Sequence, residues 1–119
     1  MAEFSKRVLS GSTNGRAILV AGTASPGTTI HTGSTATGTI DEVWLYAQNT
    51  DGTARKLTVQ WGGTASPDDL IELTLSPEAG LVLIAPGLPI QAAGTALVVR
   101  AFAGSANVVT VHGYVNRIA

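Results

Sequence analysis

The chain has 119 residues, the size of one domain, since two halves would each be too small to bury a stable core. It has no cysteine, which excludes a disulfide framework, a thiolate metal site, an iron–sulfur cluster and a cysteine nucleophile. The net charge of −1 gives nucleic acid no basic footprint, and with only 13% of residues charged the surface is mildly polar or covered by a partner.

Residues 1–15 carry Phe4, Lys6 and Arg7 and then a Gly/Ser/Thr/Asn stretch, which predicts an extended N-terminal arm, flexible alone and ordered on a partner. No apolar stretch of signal-peptide length follows the start, and the longest apolar run, 81–85, is far short of a membrane span. The expectation is a soluble product made in the cytoplasm, with no membrane partner. The remaining residues, 16–119, are expected to form a single β-sandwich domain.

Strands are predicted over 16–21, 28–32, 40–48, 55–61, 70–75, 81–85, 97–102 and 108–116. Over 40–48, Val43, Leu45 and Ala47 share one face, and Trp44 and Tyr46 the other. Leu57, Val59 and Trp61 alternate with Thr58 and Gln60 in the same way. The run at 81–85 is apolar at every position, as in a strand buried on both faces. The stretch 22–39, rich in Thr, Gly, Ala and Ser, holds only the short strand 28–32 within a long loop. Asn49-Thr50-Asp51-Gly52 is a hairpin signal, and Ser66-Pro67-Asp68-Asp69 suits a type I turn. Gly-Thr-Ala-Ser-Pro occurs at 22–26 and again at 63–67, read first as the same turn used twice and second as a relic of duplication. About eight strands at ten-residue spacing predict an all-β, antiparallel, jelly-roll-like sandwich; an irregular small barrel is the second choice.

Groups for catalysis are sparse. His31 falls in the long loop and His112 shares a face of the last strand with Thr110 and Tyr114, and both are expected as surface or interface histidines. No Gly-x-Ser-x-Gly elbow accompanies them. Asp68 and Asp69 are neighbours in a turn, without the spacing of a calcium loop, and Asp41-Glu42 merely opens a strand. The expectation is no enzyme, no cofactor and no metal. Trp44 and Tyr46 remain. If the aliphatic side of their strand is core, the pair points outward, where aromatics stack sugars or anchor protein interfaces. If both sheet faces are covered, the pair is core.

Residues 40–63 (IDEVWLYAQNTDGTARKLTVQWGG), continued by Ser66-Pro67-Asp68-Asp69-Leu70-Ile71-Glu72 and the ending 109–118 (VTVHGYVNRI), resemble small virion proteins of tailed bacteriophages. The resemblance spans most of the chain from about residue 16. It implies a structural role, best a capsid decoration (cement) protein on the virion surface, whose partners are the major capsid protein and its own copies in a homotrimer. On this reading Phe4, Lys6 and Arg7 dock on the capsid, while Trp44 and Tyr46 contribute contacts between copies. The alternatives are a tail or head–tail connector component, and a carbohydrate-binding module using Trp44, Tyr46 and Trp61. A metal-dependent jelly-roll enzyme would find only two histidines as nitrogen ligands.

Overall fold

A computed structural model describes residues 3–119 of the chain. Nine strands run in chain order: β1 (Phe4–Val8), β2 (Ile18–Leu19), β3 (Thr28–Thr32), β4 (Ile40–Asn49), β5 (Arg55–Trp61), β6 (Leu70–Leu75), β7 (Val82–Gln91), β8 (Val98–Ala103) and β9 (Val109–Ile118). They form two antiparallel sheets. One has the order β1-β9-β4-β7, with β2 pairing β9 beyond the end of β1; the other has the order β3-β8-β5-β6. Apart from β1 to β2 and β5 to β6, every connection crosses between sheets, which is the jelly-roll arrangement.

The period-two pattern builds the core. In β4 every second residue from Asp41 to Asn49 is buried. Val43, Leu45 and Ala47 meet Leu57 and Val59 of β5, Val99 and Ala101 of β8, and Val111 and Val115 of β9 in one cluster between the sheets.

Residues 4–8, within the stretch expected as an arm, form an edge strand, each residue paired with one of β9 from Tyr114 to Ile118. Leu9, just beyond, is buried in the core. The Asn49–Gly52 hairpin does not form, because β4 and β5 lie in different sheets. Its Gly52 has no positive φ; the corner is held instead by the Asn49 and Asp51 side chains, which accept the Asp51 and Gly52 amides at 2.9 and 2.8 Å. The turn after Pro67 closes one residue late, from the Leu70 amide to the Pro67 carbonyl at 3.1 Å. Residues 82–85 of the apolar run belong to β7, an edge strand; Leu81 just before it and Leu83 within it are half exposed. Pro86 and Pro89 continue β7, as an edge strand tolerates.

The loop before β3 packs on the outside of the four-stranded sheet. The Gly27 amide donates to Gln60 Oε1 at 2.8 Å, and Gln60 Nε2 donates to Ser25 Oγ at 2.8 Å, so Gln60 is buried although it faces outward.

Candidate functional site

The outer face of the five-stranded sheet is built by the even-numbered residues of β1, β4 and β9, which stand in register. Phe4, Ile118 and Ile40 form one row, Lys6, Asn116 and Glu42 the next, and Val8, Tyr114 and Trp44 a third. Tyr46 stands beside His112 on one side and Leu83 of β7 on the other. Leu19, half exposed, extends the face along β2. Phe4 is 75% exposed and Val8 half exposed. Phe4, Val8, Ile40, Trp44, Tyr46, Tyr114 and Ile118 give this face more apolar and aromatic side chains than a solvated sheet usually turns outward, with Lys6, Glu42, Asn116 and His112 set among them.

The aromatic centre is fixed by specific contacts. The Trp44 and Tyr114 rings stack with centroids 6.1 Å apart and planes 11° from parallel. Lys6 Nζ lies 4.6 Å from the centroid of the Tyr114 ring, a cation–π contact. Gly87, with φ +74°, is the extra residue of a bulge in β7; a Cβ there would approach the Trp44 indole to 2.9 Å. Trp44 Nε1 donates to Glu42 Oε1 at 3.0 Å, and Asn116 Nδ2 donates to the same oxygen at 3.2 Å. These two bonds hold the Glu42 carboxyl below the usual carboxylate range. Among the described residues, the buried side-chain polar atoms without a hydrogen-bond partner are Thr110 Oγ1 and His112 Nε2, both of the β9 row of this face.

The other sheet's outer face differs in kind. It carries the exposed Lys56–Glu72 ion pair at 2.9 Å and Arg100, and its loop 22–27 covers Gln60.

Of the residues singled out from the sequence, the structure brings Phe4, Lys6, Trp44 and Tyr46 onto one face. Arg7 alternates to the opposite side of β1 and lines a cleft of about 520 Å³ at the open edge of the sandwich, with Ser10, Thr32 and Arg117. Trp61, named for the sugar-binding alternative, lies in the other sheet and packs against the core. Trp44 is flanked by Tyr114 and Gly87.

The second polar feature was not legible in the sequence. At the floor of the cleft His31 is buried rather than on the surface, and Asp41 is 1% exposed. A bulge at Ile30 brings this about: Thr29 pairs with Arg100 and His31 with Val99, so the extra residue turns His31 inward. Arg117 donates from Nε to Asp41 Oδ1 at 2.7 Å and from Nη2 to Oδ2 at 2.9 Å. The Ser10 amide donates to His31 Nδ1 at 3.1 Å, so that nitrogen bears no proton; Nε2 carries it and donates to Asp41 Oδ2 at 2.8 Å. Burial pushes the Asp41 carboxyl up, but the hydrogen bonds from Arg117 and His31 and the Arg117 charge outweigh it and hold the group below the usual range. The same contact raises Arg117 further above its ordinary value. Both imidazole nitrogens are committed and Ser10 Oγ accepts the Thr32 amide at 2.6 Å, so these groups form a tie between β3, β4 and β9 rather than a poised nucleophile and base. Among the described residues, no three His, Asp or Glu side chains are grouped to hold a metal ion.

The chain matches no protein family model, and no curated protein matches it.

Proposed function

We propose that the chain is a structural protein of a tailed-bacteriophage virion, a decoration protein that binds the outside of the capsid and stabilises it without catalysis. The observation that carries this reading is the apolar outer face around Trp44, Tyr46 and Tyr114, set against a charged and loop-covered face on the other sheet. Aromatic side chains held rigid by neighbours lose little entropy on docking, which suits an interface. Phe4 and Lys6 border that face, and Arg7, on the reverse of the same strand, is left for the shell. Binding that occurs only on the assembled shell stabilises it by mass action, and many equivalent sites per capsid multiply a modest contact.

The test is co-sedimentation of the purified chain with expanded heads assembled from the major capsid protein encoded with it. Saturable binding at a fixed number of copies per head, with a rise in the heads' melting temperature, is the expected result. Binding to tails or connectors in place of heads, or a glycan-dependent change in tryptophan fluorescence without head binding, overturns the proposal.

A further inference from the structure

The rows of the outer face have a symmetry of their own. β9 is the middle column, with β1 on one flank and β4 on the other. Among these three columns Lys6 and Glu42 are the charged residues, and they occupy the same row at equal distances on either side of Asn116. Glu42 accepts both its hydrogen bonds on Oε1, leaving Oε2 without one. The flanks are apolar in matching rows, Phe4 opposite Ile40 and Val8 opposite Trp44.

We infer that two copies of this chain pair face to face through this surface, about a two-fold axis running along β9. The inference deepens the decoration reading, since it names the occupant of the face on which that reading rests. Rotation about such an axis exchanges the flanking columns. Lys6 of one copy then stands over Glu42 of the other, and the reverse, so two opposite-charge pairs form at once. Phe4 falls on Ile40, Val8 on Trp44, and Tyr114 meets its own counterpart. Each charge stands about 4.8 Å from the axis, close enough that the roughly 30° tilt of packed sheets keeps the long side chains in reach. An axis across the strands through the same row sets Lys6 over Lys6 and Glu42 over Glu42, and like charges in an interface are repulsive. The charge pattern therefore selects one of the two face-to-face arrangements.

The columns that meet are β1 with β2, β9 and β4, of five, two, ten and ten residues. At about 4.8 Å between columns and about 3.3 Å per residue they present roughly 430 Å² of flat sheet, to which the relief of the aromatic side chains adds, so the pairing belongs with the small interfaces of under about 600 Å² per partner. A two-fold face closes at two copies, so the trimer implied by the resemblance does not use this pairing.

The experiment is light scattering of the full chain across a concentration series, with Lys6→Glu, Glu42→Lys and the double exchange. The wild-type chain is expected to be a dimer. Each single exchange sets like charges against each other twice and should weaken the dimer by about tenfold or more, while the double exchange restores it to within about threefold. Glu42→Gln keeps an acceptor for Trp44 and removes only the charge, so it should fall between wild type and Glu42→Lys, and it serves as the probe if Glu42→Lys unfolds. A trimer or larger ring, a monomer at millimolar concentration, or a double exchange no stronger than the singles overturns the pairing. Head co-sedimentation of the same samples separates the two proposals. A monomer that binds heads refutes the pairing alone, and a dimer that ignores heads refutes the decoration reading alone.

Discussion

Replacing Arg117 by Met keeps most of the side-chain volume and removes the charge that neutralises Asp41. The wild-type guanidinium donates two hydrogen bonds to that carboxylate, at 2.7 and 2.9 Å, from a side chain 21% exposed to one 1% exposed. Removing one partner of a buried pair costs about 3–5 kcal/mol. The partial exposure of Arg117 at the cleft puts the expected loss near the lower end, about 3 kcal/mol, or roughly 10 °C in Tm for a chain of this size. The pH dependence is the sharper test. In the wild-type chain the Asp41 carboxyl is held down on folding, so it adds stability that is fully present above its unfolded-state pKa and is lost as pH falls through the folded one. In R117M the His31 hydrogen bond alone is left against burial, so the carboxyl sits higher than in the wild-type chain. It then contributes less stability near neutrality than the wild-type carboxylate does. The stability gap between the two proteins should therefore be widest near pH 7 and narrower at about pH 3, below the ordinary aspartate range. Urea unfolding followed by tryptophan fluorescence at both pH values measures it. A loss under about 1 kcal/mol, or a gap of equal size at both pH values, refutes the reasoning.

Further expectations concern the surfaces and their supports. Leu9→Ala empties a buried site and should cost about 2–5 kcal/mol, whereas Phe4→Ser, at an exposed position five residues earlier, should stay within about 0.5 kcal/mol in the monomeric chain; chemical denaturation of both variants at low protein concentration tests whether the fold's N-terminal anchor is Leu9. Gly87→Ala places a methyl 2.9 Å from the Trp44 ring on a backbone with φ +74°, and should lower Tm and disturb the near-ultraviolet circular dichroism of Trp44; an unchanged spectrum would mean that the bulge does not set the indole's position. Gly113→Ala drives a Cβ into the Trp44 carbonyl and should cost about 3 kcal/mol or more, read by thermal melting. Lys56→Ala breaks an exposed ion pair and should change stability by no more than about 1 kcal/mol at low salt.

What could be read from the sequence follows from where the physical signal lies. Strands β3, β5 and β6 match their predicted limits because alternating side chains mark them and turns bound them. Strand β1 leaves no such mark: its residues are largely exposed, and it is held by backbone hydrogen bonds to β9, which any sequence makes. The apolar run at 81–85 signals two apolar surroundings, but the second is the outer face rather than another core layer. That Trp44 and Tyr46 share the face opposite Val43, Leu45 and Ala47 follows from period two alone, but that this face lies outward does not. The tie of His31 to Asp41 and Arg117 does not, since it depends on a one-residue bulge and on strands 76 residues apart in the chain. Tyr114, the ring that Trp44 and Lys6 share, was visible only as one aromatic among six until register put it between them.

The place of β9 also governs when the protein can fold. Among the described residues β1 and β2 pair with β9 and with no other strand, and β4 takes one of its two flanks from it. The five-stranded sheet thus has no middle until residue 118 has left the ribosome. At about 5–20 residues per second, β1 waits roughly 5–20 seconds for its partner after its own synthesis. During that interval β7 can already pair with β4, but Phe4 and Val8 of β1 have no strand of their own chain to pair with. A jelly roll wound this way completes that sheet only once β9 has been made, through contacts distant in sequence, and its yield in the cell should depend on translation rate and chaperone supply more than its final stability suggests.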